Sequence, residues 1–370
     1  MTIYEKLTIY FLVIIGFMLG FAGLVFPHQK DLLIWTSSES FQIQRLHIFF
    51  FNLIAGGTVI LWFTNKESKF SKSTWLYLAI SFLFSISVFL NLYMISLILG
   101  IVLVFLVERV RIHHFGFFPF SFFNYKVPVE RKFHLASLLC LSIGIILAEL
   151  TILNNYYLQI LPSNVLPLNY FYLGFSFPLS LIIFSIIYDL MGHKDDPILK
   201  MQKEVSFWFV NIGVIIFFIF IILKIAIGEI ICASLLIIYI LFTLYLFLKN
   251  STYFINKKFL ISGIFFLILT SLTGLSMIYL QFLHPDISSY QFLNNLLLQM
   301  HGYLALYGWS LSGLIVIIRN LDIQQKYQSN RKILIHWFLI VMIVPIGILN
   351  LWFALLAIPI SLIYFWSVLM

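Results

Sequence analysis

The sequence predicts an all-α integral membrane protein, a single polytopic membrane domain over residues 1–370 with about twelve transmembrane helices. Three observations predict it. Hydrophobic residues make up 62% of the chain and charged residues 10%, whereas a soluble domain carries about 25% charged residues. The mean hydropathy is +1.04. Apolar runs of about twenty residues recur along the chain, the length at which a helix rather than a barrel strand crosses a bilayer. Lys and Arg, finally, collect in alternate connections between those runs.

The first span covers about residues 7–26; it is long enough to cross and lacks a small-residue cleavage site, so it reads as a helix rather than a removed leader. The second covers about 44–64. The third and fourth, about 74–90 and 92–108, meet in a tight turn at Leu90-Asn91. The fifth and sixth follow at about 132–153 and 167–189, the seventh and eighth at about 205–227 and 229–248. The ninth and tenth lie at about 258–281 and 294–318. The last two, about 333–349 and 351–369, join near Asn350.

The charges give an orientation. Lys66, Lys69 and Lys72 follow the second span; Arg109, Arg111, Lys126, Arg131 and Lys132 follow the fourth. Lys194, Lys200 and Lys203 follow the sixth, Lys249, Lys257 and Lys258 the eighth, and Arg319, Lys326, Arg331 and Lys332 the tenth. The alternate loops are nearly bare of both residues, which predicts both termini in the cytoplasm. The net charge of +8 is therefore placed along one membrane face, so the expected partner is membrane lipid and no nucleic acid is implied. Val110 to Tyr125, with His113, His114 and a Phe-rich run, is too short to span and predicts an interfacial segment. Cys140 and Cys232 lie inside apolar runs without CxxC spacing, which argues for neither a disulfide framework nor a metal cluster. No phosphate-binding glycine loop, kinase set or nucleophile elbow is present.

Ionisable groups inside a membrane are costly and mark function. His301 lies about seven to ten residues inside the tenth span, and His47 near the start of the second. In the predicted orientation both sit in the outer half of the membrane, at depths matching within one or two turns. Two neutral imidazoles on facing helices can be the axial ligands of a b-type haem, with Arg45 neutralising a propionate. Gly56, Gly57, Gly302 and Gly308 would allow close approach. The competing reading is that both histidines are hydrogen-bonded packing residues. His134 and His336 fall at cytoplasmic helix ends beside basic residues, and His28, His193 and His284 in loops; all five are expected to be solvated.

Some of these residues carry a more specific likeness. Leu272-Thr273-Gly274-Leu275 resembles the Leu-Thr-Gly-Val of helix nine in the haem–copper oxidase catalytic subunit superfamily, including its cbb3-type and nitric-oxide-reductase branches. The stretch His301-Gly302-Tyr303-Leu304-Ala305-Leu306-Tyr307-Gly308-Trp309 resembles that family's helix-ten histidine motif, and His47 with Arg45 resembles its helix-two haem ligand. The topology extends the likeness to the whole chain. It implies a subunit-I-like bundle in a prokaryotic cytoplasmic membrane, haem b as cofactor, and respiratory-chain subunits or a quinol or cytochrome donor as partners.

The departures from the pattern are equally specific. His301 aligns with the ligand of the oxygen-reducing haem, and Tyr303 falls where the low-spin haem ligand belongs. The sixth span offers Tyr170, Tyr172 and Pro178 but no histidine, and the seventh has no histidine pair, so no copper is expected. The resemblance thus implies a relative without oxygen-reducing activity of its own, using haem for electron transfer or for haem or gas sensing. Tyr303 either ligates iron or hydrogen-bonds within the bundle. Two other classes remain open: a twelve-helix transporter or permease, which would show broken helices and mid-membrane polar groups, and a cofactor-free structural subunit of a respiratory complex. Glu149 lies in the outer third of the fifth span, with Lys224 and Glu229 bracketing an outer turn. The inner half is expected to hold almost no ionisable groups, and hence no proton channel.

Overall fold

The computed structural model describes residues 1–25, 43–161, 174–192, 196–251, 257–283, 290–319 and 330–370. Among these residues there is no strand. Helix α1 is Ile3–Val25. Helix α2 starts as Ile43–Ile48, widens into a π-helical stretch at Phe49–Gly56 and continues as Gly57–Asn65. Helices α3, Lys72–Phe89, and α4, Tyr93–Phe115, come next. Helix α5 is Val129–Leu153 with a π-helical end at Asn154–Leu158, and α6 is Phe177–Leu190. Helices α7, Pro197–Leu223, α8, Ala226–Asn250, and α9, Lys257–Leu283, are uninterrupted. Helix α10 runs as Gln291–Tyr303, a π-helical Leu304–Ser310 and Leu311–Arg319. Helix α11 has the same plan, Asn330–Trp337, Phe338–Ile343 and Val344–Leu349, and α12 is Leu351–Leu369.

Eleven of these helices are long and apolar enough to cross a membrane; α6, with 14 residues, is shorter. The protein is therefore a helical membrane protein, and the predicted spans fall on the observed helices in order, except that residues 167–173 of the sixth, with Tyr170 and Tyr172, lie outside the described residues.

Local chemistry sets the ends. The Ser71 side chain accepts the Thr74 N–H at 3.2 Å, Asp196 caps α7 ahead of Pro197, and the Asn350 side chain accepts the Trp352 N–H at 2.9 Å. Each cap takes one of the N–H groups that a helix start leaves without a partner. The tight turn between α3 and α4 places Asn91 in the left-handed region, φ 58°, which asparagine tolerates better than most residues.

One expectation is corrected here. The segment from Val110 is not interfacial from its start: α4 continues to Phe115, carrying His113 and His114 in its last turn, and stops where Gly116 adopts φ 85°. Apolar residues up to Val110 keep the helix packed, and glycine supplies the left-handed exit. Phe117, Phe118, Phe120, Phe123 and Tyr125, beyond it, are exposed as an interfacial segment requires.

Neighbours in sequence are neighbours in space. Helices α3 to α10 pack in succession as hairpins, apart from the α6–α7 step; α1 packs on α2, and α12 on both α11 and α1. The central helices are α2 and α10, each with 83% of its span buried, whereas α7 has 17%. Both central helices carry π-helical stretches, the extra-residue geometry that often marks functional positions.

Candidate functional site

Helix α10 brings two polar side chains to opposite faces. Residues two apart on an α-helix differ by about 200° around the axis, so His301 and Tyr303 point away from each other. His301 faces α9: its Nδ1 lies 2.9 Å from the Thr270 carbonyl oxygen. A carbonyl only accepts, so Nδ1 carries the proton and donates, and Nε2 holds the ring's lone pair. The floor of the ring is Gly274, where an added Cβ would stand 3.0 Å from the His301 Cε1 and 3.1 Å from its Nδ1. That glycine belongs to the helix-nine motif, and it is what lets the ring lie against α9. Among the described residues, Gly302 next to His301 faces open space, with none of their atoms within 4 Å of a Cβ placed there.

Tyr303 faces α1. A Cβ on Gly20 would lie 3.2 Å from the Tyr303 Oη and 3.6 Å from the His47 Cγ, so this one glycine seats both side chains. Gly16, one turn earlier, approaches the His47 carbonyl and Phe50 at 3.4 Å. The pattern Gly16-x-x-x-Gly20 is the sequence signal for this close approach of α1 to α2. Phe17 stands between the glycines and meets the rings of Tyr303, Tyr307 and Phe365 edge-on, at 6.4, 4.8 and 5.1 Å between centroids. The predicted site residues are thus divided: His47 meets Tyr303 on α1, and His301 sits on the other side of α10. Arg45 is two residues before His47 on α2, and its side chain lies outside the described residues.

His336, expected to be solvated at a helix end, is fully buried. Helix α11 begins at Asn330, so His336 stands nearly two turns inside. Its Nε2 donates to the Tyr307 carbonyl at 2.5 Å, and its ring stacks on Tyr364 at 5.1 Å and 25°. The acceptor lies in the π-helical stretch of α10, where the widened ladder frees carbonyls for other donors. Among the described residues, His336 Nδ1, Tyr307 Oη and Tyr364 Oη are buried without a hydrogen-bond partner. His134 is also bonded rather than solvated, its Nε2 2.8 Å from the Thr64 hydroxyl. Since Thr64 Oγ1 itself donates to the Ile60 carbonyl at 2.7 Å, the histidine is the donor. His28, His193 and His284 lie outside the described residues.

The end of the bundle that carries the basic loops is richer in charge than expected. Lys132 is 1% exposed, and its Nζ donates to both carboxylate oxygens of Glu204, at 2.6 and 2.8 Å. Lys203 reaches the carbonyls of Tyr188 and Gly192 at 3.2 and 2.8 Å. Arg111 pairs with Glu108 at 2.6 Å, and the other Glu108 oxygen accepts from Ser142 at 2.6 Å. Helices α5 and α7 start earlier than the apolar runs suggested, and this carries Lys132, Lys203 and Glu204 into the packed bundle.

Among the described residues no three His, Cys, Asp or Glu side chains gather as a metal-binding group. Comparison of the chain with protein families, with curated proteins and with solved structures finds no match, so the likeness to the haem–copper oxidases rests on the residues quoted above.

Proposed function

We propose that the chain is a polytopic membrane protein, its termini cytoplasmic, that binds a b-type haem at His301 and has no oxygen-reducing activity of its own. The observation that carries this reading is the state of His301: its Nδ1–H is anchored on the Thr270 carbonyl, and Nε2 is left with an available lone pair. Haem-ligating histidines are oriented in this way, by a backbone carbonyl on the second ring nitrogen. Gly274 gives the ring its seat, and the open space at Gly302 adjoins it. His47 and Tyr303, packed together on Gly20, fit a structural role better than ligation opposite His301. A haem at this position supplies one-electron transfer or binding of a small gas; Thr270 and Gly274 orient the histidine.

The test is a reduced-minus-oxidised visible spectrum of the purified protein, with a pyridine haemochrome for stoichiometry. A b-type band lost in H301A and kept in H47A is the expected result. A colourless protein after haem-supplemented expression, or a band indifferent to H301A, overturns the reading.

A second reading is favoured by a different observation. Three helices, α2, α10 and α11, each have their α-helical ladder interrupted by a π-helical stretch, and Pro359 lies inside α12. Interrupted helices in a bundle core are a feature of transporters and permeases. Transport of a small substrate by reconstituted protein, without any visible chromophore, is the result that would favour it.

A further inference from the structure

The seam between α4 and α5 carries a group that the haem reading does not use. Glu149 on α5 is 8% exposed, and among the described residues neither of its carboxylate oxygens has a hydrogen-bond partner. Its head lies on Gly100 of α4, where a Cβ would come within 2.5 Å of the carboxyl carbon and 2.7 Å of Oε1. A glycine at this one place makes room for the acid. Gly100 is seven residues into a helix that starts at Tyr93, so the carboxyl is about 10 Å from that end, within a hydrocarbon core about 30 Å thick. An ionised carboxylate with no counter-charge is very costly at that depth, so the carboxyl is held there as the neutral acid, with a proton to give up.

The surroundings differ on its two sides. Toward the end of the bundle with few charges, a polar stripe runs along the seam at helical spacing: Ser96 one turn from Gly100, then Tyr93 and Tyr156. The rings of Tyr93 and Tyr156 stack at 3.8 Å with their hydroxyls 2.8 Å apart, and Tyr93 donates to Asn91 at 2.7 Å. Toward the basic end, residues 101–107 of α4 and 143–148 of α5 carry no polar side chain. The next carboxyl on the seam, Glu108, is about two turns away and already engaged by Ser142 and Arg111. The other helices packed on α5 bring their titratable groups in at the basic end: Tyr188 and Asp189 of α6, and Lys203 and Glu204 of α7. The Gly57–Asn65 part of α2 brings none, and Cys140 of α5 itself lies more than two turns away. Among the described residues, Glu149 therefore faces polar groups in one direction only.

We propose that Glu149 is a proton-exchange site within the membrane, loaded and emptied from the charge-poor end along the Tyr93–Tyr156–Ser96 stripe. The exchange is a bare proton transfer between the carboxyl and water at that end, with no redox partner. It does not depend on haem at His301.

The full-length protein in detergent is treated with N,N′-dicyclohexylcarbodiimide, an apolar reagent that adds whole to a protonated carboxyl, and the adduct is located by peptide mass spectrometry. Glu149 is expected to be labelled while Glu108 and Glu204 are spared. Labelling should fall by about tenfold or more between pH 5 and pH 10, because a titrating carboxyl loses its acid form as pH rises. E149Q should remove the adduct, and G100A should lower it, since the new Cβ would occupy the carboxyl's seat. The C=O stretch of the neutral acid, followed by infrared difference spectroscopy across the same pH range, should disappear in wild type and be missing in E149Q. No adduct at Glu149, labelling equal at pH 5 and pH 10, or labelling unchanged in G100A would each overturn the proposal.

Discussion

Replacing Lys132 with Met is the sharpest test of the packing at the basic end of the bundle. Lys132 Nζ grips both oxygens of Glu204 at 2.6 and 2.8 Å, and the two side chains are 1% and 10% exposed. Solvent screening is therefore slight. K132M leaves a buried carboxylate without its cation, a loss of about 3–5 kcal/mol; E204L strands the ammonium at similar cost. The double variant K132M/E204L removes both charges and replaces them with apolar volume, so it should return close to wild type, within about 1–2 kcal/mol. The assay is unfolding of the purified protein by heat or by SDS in one detergent, followed by intrinsic tryptophan fluorescence. A double-mutant cycle then gives the coupling between the two residues. If the double variant falls as far as the two single losses added together, the pair is not a mutually neutralising unit and the reasoning fails.

Three further substitutions probe the packing around the central helices. Tyr77 donates to the Leu53 carbonyl in the π-helical stretch of α2 at 2.9 Å, so Y77F should lose about 1–3 kcal/mol in the same unfolding assay, because a buried acceptor is left unmade. G57A, whose Cβ would overlap the Tyr77 ring, should cost about 1–3 kcal/mol as an overpacked site, and should cost much less in the Y77A background. His336 holds the Tyr307 carbonyl; H336F keeps the ring stack on Tyr364 but drops the donor, with an expected loss of about 1–3 kcal/mol. An H336F protein as stable as wild type would mean that the π-helical stretch of α10 needs no outside donor.

Much of the architecture was legible in the sequence, because burial in a bilayer writes itself as long apolar runs. The Leu90-Asn91 turn and the helix order both follow from local composition. The position of His301 in the tenth helix was legible for the same reason. Its partner was not: the Thr270 carbonyl and the Gly274 floor depend on how α9 and α10 cross, and neither is a property of one segment. His336 shows the limit most clearly. Basic residues beside it suggested a solvated end, yet helix α11 begins early enough to carry it into the core, where it meets a carbonyl from α10 and a ring from α12. The same early starts brought Lys132 and Glu204 together.

The sequence alone determines that this chain is a helical membrane protein and roughly where its helices lie, since length and hydropathy act within each segment. Only the tertiary structure decides which polar groups face one another. It seats His47 and Tyr303 on Gly20, turns His301 toward Thr270, and lays the Glu149 carboxyl on Gly100, because glycine spacing and helix crossing, and not composition, fix those distances.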